Sequence, residues 1–157
     1  MRSILTVAAI AATVGAVPGA AFAADQAIPS GFSVYLFLER HGALSPDVLK
    51  IKDFSSWNMY ATGEGLEDGN FAGYLIGVRF TSGREIFAKG RQATLTLRDR
   101  KTGRTLETRT FSNIYIGTDG ETYRPALVTG RDCGQFEIVL AGNGKRISRE
   151  LNLECGE

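Results

Sequence analysis

The feature that most limits the fold of this chain is a series of short apolar segments separated by glycine-rich turns. These segments are rich in β-branched and aromatic residues, and no long segment has a helical period. Ala93, Leu95 and Leu97 alternate with polar residues, which is typical of a sheet with one face on a core and one in water. The predicted strands are Ser33–Arg40, Ala72–Thr81, Gln92–Asp99, Arg104–Ile116, Thr122–Val128, Gln135–Ala141 and Arg146–Glu154.

The turns between these segments predict antiparallel hairpins. Asp119-Gly120 and Asn143-Gly144 favour two-residue turns, because such turns need positive φ at both central positions. Arg100–Gly103 is typical of a longer hairpin loop. The strand number and hairpin order resemble an immunoglobulin-like antiparallel β-sandwich, with a small β-barrel as the alternative. The resemblance is architectural, because the cysteine–tryptophan–cysteine spacing of antibody domains is absent.

The segment His41–Asn70 is compatible with either a helix or strands. Ser45-Pro46-Asp47 resembles a helix start, with serine as the cap and proline in the first turn. Val48–Phe54 would follow as a short helix, yet its residues also fit an edge strand. We favour extended structure here.

Cys133 and Cys155 are the two cysteines of the chain, and an even pair in an exported protein predicts a disulfide. A two-residue turn at Asn143-Gly144 sets a register that places Cys133 opposite Glu154, one residue short of Cys155. A bulge at Gly134 would correct that mismatch. We therefore predict one disulfide across the final hairpin.

The first 23 residues have the three parts of a secretory signal peptide. Arg2 supplies a positive charge, Ile4–Val17 is apolar, and Ala21-Phe22-Ala23 offers a cleavage site before Ala24. The apolar run is shorter than the roughly 20 residues that a membrane span needs. We expect an exported protein in the bacterial periplasm or secreted beyond it, with no transmembrane segment in the mature chain.

Removing 23 of 157 residues leaves 134, the size of one domain over residues 24–157. Because Arg2 is the only charge removed, 17 basic residues balance 17 acidic ones, which argues against a nucleic-acid binder. The basic residues concentrate in Arg84–Arg109, which has eight of them and three acids. A solvated hairpin is the favoured interpretation, and a patch for an anionic glycan or lipid head group is the alternative. The candidates for such a patch are Arg98, Arg100, Lys101 and Arg104.

Candidates for catalysis are few. His41 is the only histidine, and Ser45 and Asp47 follow it, so a Ser-His-Asp arrangement is conceivable. The sequence has no glycine-framed serine elbow, and neighbours in sequence seldom form a triad. We therefore predict no catalytic residues and a non-enzymatic protein.

A glycine-rich acidic loop follows the aromatic residues of this region. Gly63-Glu64-Gly65 lacks the lysine of a phosphate-binding loop, and its acidic neighbours would repel phosphate. Glu64, Glu67, Asp68 and Asn70 offer oxygen ligands, but their spacing is not that of a calcium-binding helix–loop–helix. We predict no metal and no cofactor.

Trp57 and Tyr60 are candidate binding residues, because large amphipathic rings are favoured at interfaces. For Trp57 we favour packing on the core. The leading hypothesis is a non-enzymatic accessory domain that recognises an envelope protein or component through a sheet face or edge. The alternative is a hydrolase inhibitor that inserts the loop Thr62–Asn70 into a lysozyme or protease, and a hydrolytic enzyme ranks last.

Overall fold

A computed structural model describes residues 25–66, 69–130 and 133–154. The predicted signal peptide, Glu67, Asp68 and Cys155 lie outside these residues. The described chain is all-β, and every strand ladder in it is antiparallel. No helix suited to crossing a membrane occurs in this part of the chain. The strands are β1 (Ile28–Leu38), β2 (Ala43–Leu44), β3 (Ser55–Trp57), β4 (Tyr60–Thr62), β5 (Phe71–Thr81), β6 (Ile86–Asp99), β7 (Thr105–Ile116), β8 (Glu121–Val128), β9 (Gly134–Gly142) and β10 (Lys145–Leu153).

Two four-stranded sheets enclose one hydrophobic core. The first sheet has the order β2-β1-β5-β8 and the second β10-β9-β6-β7, while β3 and β4 form a separate hairpin. Aromatic contacts cross between the sheets. The rings of Tyr74 and Phe136 lie 6.3 Å apart, and those of Phe80 and Phe111 meet edge-on at 5.7 Å. All four side chains are buried.

The alternation predicted for Gln92–Asp99, which lies within β6, is confirmed, since Ala93, Leu95 and Leu97 are buried and the residues between them face outward. This strand begins at Ile86, earlier than predicted. Register shifts between Ala88 and Ala93 break the two-residue period, so the alternation is regular only after them.

Two of the three predicted hairpins are confirmed. The Asn143-Gly144 turn has φ values of 43° and 75° and pairs Gly142 with Lys145, as its register requires. The Arg100–Gly103 loop joins β6 to β7, and its last residue has a φ of 68°.

The hairpin predicted at Asp119-Gly120 is wrong. This turn leads from β7 at the edge of one sheet to β8 at the edge of the other. Gly120 has the positive φ of 78° expected there, and its N–H donates to the Gly117 carbonyl at 3.1 Å. A tight turn therefore forms, but the strands on its two sides do not pair with each other: β7 pairs with β6, and β8 pairs with β5.

The final hairpin keeps one register to its end, where Leu153 pairs with Gly134. The predicted bulge at Gly134 is wrong, because this glycine adopts a φ of 142° without a register shift. A side chain there would also meet the Phe136 ring, at 2.8 Å from its nearest atom. Cys133 is not a free cysteine. Because Cys155 lies outside the described residues, their pairing stays a prediction.

The region between β1 and β5 is extended, as favoured, and its described residues include no helix. It forms β2, β3 and β4 joined by turns, one of which places Asp53 at a φ of 55°. The β3–β4 turn is a hairpin that we did not predict. Asn58 and Met59 have φ values of 46° and 63°, the conformation usually taken by Asn-Gly.

Candidate binding surfaces

Ser45 and Asp47 are hydrogen-bond acceptors for the backbone of β1. The Ser45 hydroxyl accepts the Leu36 N–H at 2.9 Å, and an Asp47 carboxylate oxygen accepts the Val34 N–H at 2.9 Å. Both side chains thus cover the edge of β1 where a partner strand would lie. His41 is exposed in the preceding turn. Ser45 therefore acts as a backbone acceptor.

We expect Ser45→Ala to lower the free energy of unfolding by about 1–3 kcal/mol, because it leaves the buried Leu36 N–H without its acceptor. Ser148→Ala is the matched control. It removes an exposed hydroxyl that donates to Glu137, and it should cost less than about 0.5 kcal/mol. Urea unfolding of both variants measures this difference, and equal effects would contradict the proposed role of Ser45.

The basic residues of the β6–β7 hairpin lie beside acidic residues of the neighbouring strands. Arg98 pairs in register with Glu137 of β9, and the Arg100 guanidinium lies 2.9 Å from the Glu150 carboxylate of β10. These acids offset the positive charge of the two arginines. The arrangement supports the interpretation of a solvated face more than that of an anion-binding patch.

Lys101 and Arg104 are exposed at the tip of the same hairpin. Asp99 accepts hydrogen bonds from the backbone N–H and the hydroxyl of Thr102, at 2.7 and 3.0 Å. These bonds, the backbone one foremost, lower the pKa of Asp99. The bonds therefore stabilise the loop above the carboxyl's unfolded pKa, and this contribution is lost as the pH falls through the folded pKa.

Trp57 and Tyr60 are exposed side by side on the β3–β4 hairpin. They are direct cross-strand partners, so both side chains lie on one face, and their exposed fractions are 55% and 45%. The expectation that Trp57 packs on the core is therefore wrong. Ser56 and Ala61, on the opposite face, are buried and anchor the hairpin.

A groove of about 280 Å³ lies between β3 and β10. The strands are joined where Trp57 bridges Glu154, and the Asn58 N–H donates to the Glu154 carbonyl at 3.2 Å. Ser55 lines the groove on one side, and Arg149 and Asn152 line it on the other. The groove therefore begins beside the exposed aromatic pair and presents hydroxyl, guanidinium, amide and carboxylate groups.

The described ends of the Thr62–Asn70 loop are anchored. The Ala61 N–H donates to the Gly69 carbonyl at 2.8 Å, and a Cβ on Gly69 would overlap the Ala61 backbone. The Glu64 N–H donates to the Lys52 carbonyl at 3.2 Å, and Leu66 packs against the core. The base of the loop is thus held by backbone hydrogen bonds and by packing on the core.

Four large apolar side chains are exposed on the outer face of the first sheet, and none was among our candidates. They are Phe37, Leu44, Tyr123 and Leu127. The last two are more than half exposed. For Leu127 the signal was present in the sequence, since the second half of β8, Pro125–Val128, is apolar at both sets of alternate positions.

The register of the first sheet makes these residues part of one surface. Tyr35, Leu75 and Leu127 lie in a row across β1, β5 and β8, and the first two are half-buried. The Tyr35 ring lies over Gly77, within 3.4 Å of where a Cβ would stand. The glycine thus leaves room for the Tyr35 ring on this surface, which we call the apolar sheet face and define as Tyr35, Phe37, Leu44, Leu75, Tyr123 and Leu127.

The edge strands β7 and β8 flank a groove of about 500 Å³ and are both unsuited to strand addition. Pro125 has no backbone N–H, so it interrupts the row of donors along β8. On β7, the charged Arg109 lies on the same sheet face as the buried Leu95, and an inward-pointing charge protects an edge from added strands. The Arg109 guanidinium lies 2.6 Å from the Glu107 carboxylate. A partner at this edge would therefore meet charge and a proline.

Among the described residues, no three histidine, cysteine, aspartate or glutamate side chains are grouped to hold a metal ion. Glu67 and Asp68 of the acidic loop lie outside them. Comparison of the chain with protein families, with curated proteins and with solved structures finds no match. The argument for function therefore depends on the surfaces described above.

Proposed function

We propose that this protein is an exported, non-enzymatic binding domain that recognises a protein of the bacterial envelope through its apolar sheet face. The observation that carries this proposal is the exposure of Tyr123 and Leu127, 55% and 56%, on the same sheet face as Phe37 and Leu44. Contiguous apolar patches are costly to leave in water and usually mark an interaction site. The predicted signal peptide supplies the address, the periplasm or the exterior.

The partner would dock against the side chains of this sheet face. Strand addition is disfavoured by Pro125 in β8, so backbone pairing would contribute little. Arg79, in register with Tyr123, lies 3.9 Å from Glu121 and adds charge of both signs at one end. An apolar centre with a charged border is the usual composition of a protein–protein interface.

The scaffold that we propose is an immunoglobulin-like β-sandwich with a Cys133–Cys155 bridge. Among the long strands, β1, β5 and β8 are the first, second and fifth along the chain, and they share the first sheet. The other four long strands, β6, β7, β9 and β10, form the second sheet. In immunoglobulin constant domains the fourth strand lies in the sheet of the first, and this is the one difference in strand order. Two separate sheets favour a sandwich over a closed barrel, which needs a continuous ladder.

A photo-crosslinking amino acid placed at position 127 tests the binding function. Expressed in the source bacterium, this variant should form an adduct with one envelope protein, identified by mass spectrometry. The same amino acid at Thr108, exposed on β7 of the other sheet, is the control and should form none. In a second experiment, Leu127→Lys should reduce recovery of the identified partner at least tenfold, while Thr108→Lys leaves it unchanged.

Three results would overturn the proposal. An adduct between two copies of the chain would assign the face to self-association. Adducts of equal yield from positions 127 and 108 would indicate unspecific contact. No adduct from position 127 or 123 would leave the apolar sheet face without a partner and remove the proposal.

The hydrogen-bonded base of the Thr62–Asn70 loop favours a second function, inhibition of a hydrolase. Inhibitory loops work when their conformation is set before binding, because less entropy is then lost. The anchors at Gly69 and Glu64 provide such a base. Stoichiometric inhibition of one enzyme in a panel of lysozymes and proteases, lost in Glu64→Ala, would support this function; no inhibition across the panel would reject it.

A further inference from the structure

The β3–β10 groove and the aromatic pair beside it form a second site, separate from the apolar sheet face. The described residues include a second exposed aromatic pair, Phe87 and Tyr115, which are also cross-strand partners. The Trp57–Tyr60 pair differs because Trp57 bridges Glu154, a residue that lines the groove. Ser55 lies on the same hairpin face as Trp57 and also lines the groove, so a ligand that extends out of the groove on this side reaches the rings.

The groove has an apolar floor and a polar rim. Leu151 and Val48 are buried in its floor, and Leu49 and Phe54 are half-buried beside them. Its rim consists of the exposed residues Ser55, Arg149, Glu150, Asn152 and Glu154. Donors and acceptors thus surround a surface that favours C–H groups.

The exposed face of the β3–β4 hairpin also combines polar and apolar groups, outside the groove. Ser55 and Thr62 are in register, as are Trp57 and Tyr60, and all four side chains are exposed. Two hydroxyl groups therefore stand next to two aromatic rings on one face. The anchor is firm, because Ser56 is buried and its hydroxyl accepts the Glu154 N–H at 3.2 Å.

From this combination we infer that the groove and the Trp57–Tyr60 pair bind an uncharged saccharide. A sugar ring has a C–H face that stacks on an aromatic ring and a border of hydroxyls that both donate and accept hydrogen bonds. Arg149 and Asn152 donate and Glu154 accepts, which matches hydroxyls better than it matches an anion or a cation. The groove volume of about 280 Å³ is just below the roughly 300–1,000 Å³ usual for small-molecule sites, so the groove would hold part of the ligand and the aromatic pair the rest.

This site differs from the anionic-glycan patch considered on the β6–β7 hairpin. The rim combines one arginine with Glu150 and Glu154, so a charged sugar gains little net attraction. The Glu150 carboxylate is also already paired, because it lies 2.9 Å from the Arg100 guanidinium. Selection would depend on stacking and hydrogen bonds, and salt should have little effect on it.

Trp57 is the only tryptophan of the chain, so its fluorescence reports directly on this site. We would titrate the protein with cellotriose, maltotriose and tri-N-acetylchitotriose, and with trigalacturonate as a charged contrast. At least one uncharged trisaccharide should shift the Trp57 emission to the blue and reduce its quenching by acrylamide, because a stacked sugar excludes water from the ring. The change should saturate and should persist in 0.5 M salt.

The variants Asn152→Ala and Tyr60→Ala should each weaken the binding about tenfold, the loss expected for one hydrogen bond or one stacking contact. Tyr115→Ala is the matched control, since Tyr115 is 56% exposed in the second aromatic pair and lies outside the groove. Its affinity should equal that of the wild type. Circular dichroism of each variant checks that the fold is retained.

Each contrary result rejects the inference. The absence of any saturable change with the three uncharged sugars at 20 mM would show that the site does not bind saccharides of this class. Binding of trigalacturonate alone, abolished by salt, would assign recognition to charge. Binding that survives both Asn152→Ala and Tyr60→Ala would place the ligand elsewhere on the molecule.

Discussion

Replacing Phe80 by alanine should lower the free energy of unfolding by about 3–5 kcal/mol. Phe80 is fully buried on β5, and its ring meets Phe111 of the opposite sheet at 5.7 Å. Truncation removes this contact and leaves a cavity between the sheets, which rigid backbones on both sides cannot fill. Urea denaturation monitored by circular dichroism measures the loss.

Phe87→Ala is the matched control, because it removes the same atoms from a side chain that is 51% exposed. Its one cross-strand neighbour is Tyr115, and the cost should stay below about 1 kcal/mol. If the two phenylalanine variants lose equal stability, the two sheets do not share the core described here.

The second large effect is expected for Gly142→Ala, about 3 kcal/mol of lost stability. Gly142 ends β9 where β6 passes closely, and a Cβ there would lie 2.7 Å from the Ala93 Cα and would overlap the Gln92 carbonyl. Because both contacts involve backbone atoms, neither neighbour can rotate away. The strands would have to separate.

Gly83→Ala provides the comparison, since the same Cβ meets no atom within 4 Å at that position. Neither glycine has a positive φ, so backbone strain does not distinguish them. Gly83→Ala should be neutral or slightly stabilising, because alanine reduces the entropy of the unfolded chain. Thermal unfolding midpoints for the pair test this, and a neutral Gly142→Ala would contradict the close approach of β6 to β9.

Local features of the sequence predicted the strands and the final hairpin well. The alternation of Ala93, Leu95 and Leu97 specifies a strand with one buried face, because side chains of a strand point to opposite sides in turn. The Asn143-Gly144 turn specifies register, because both residues adopt positive φ at low cost. Such information is contained within a few residues.

Other features could not be predicted from the same local signals. Asp119-Gly120 makes a tight turn whether the next strand pairs with the previous one or crosses to another sheet. Ser45 before proline is typical of a helix cap, yet its hydroxyl accepts a backbone N–H of β1. In both cases the partner lies on another strand, so the contact depends on how the strands assemble into sheets.

The candidate sites divide in the same way. Trp57 and Tyr60 were identified from residue type, but their side-by-side exposure required the unpredicted hairpin at Asn58-Met59. The apolar sheet face was missed, because an apolar residue in a strand can serve either a core or an interface, and alternation alone does not distinguish them.

By itself, the sequence determined that this chain forms antiparallel strands with a particular final hairpin, since period and turn chemistry are local properties. The tertiary structure decided which strands share a sheet and which apolar side chains stay in water. It also decided that β3 meets β10 beside Trp57 to open a groove. The physical reason is that burial is a property of the assembled sheets, and each sheet gathers strands from distant parts of the chain.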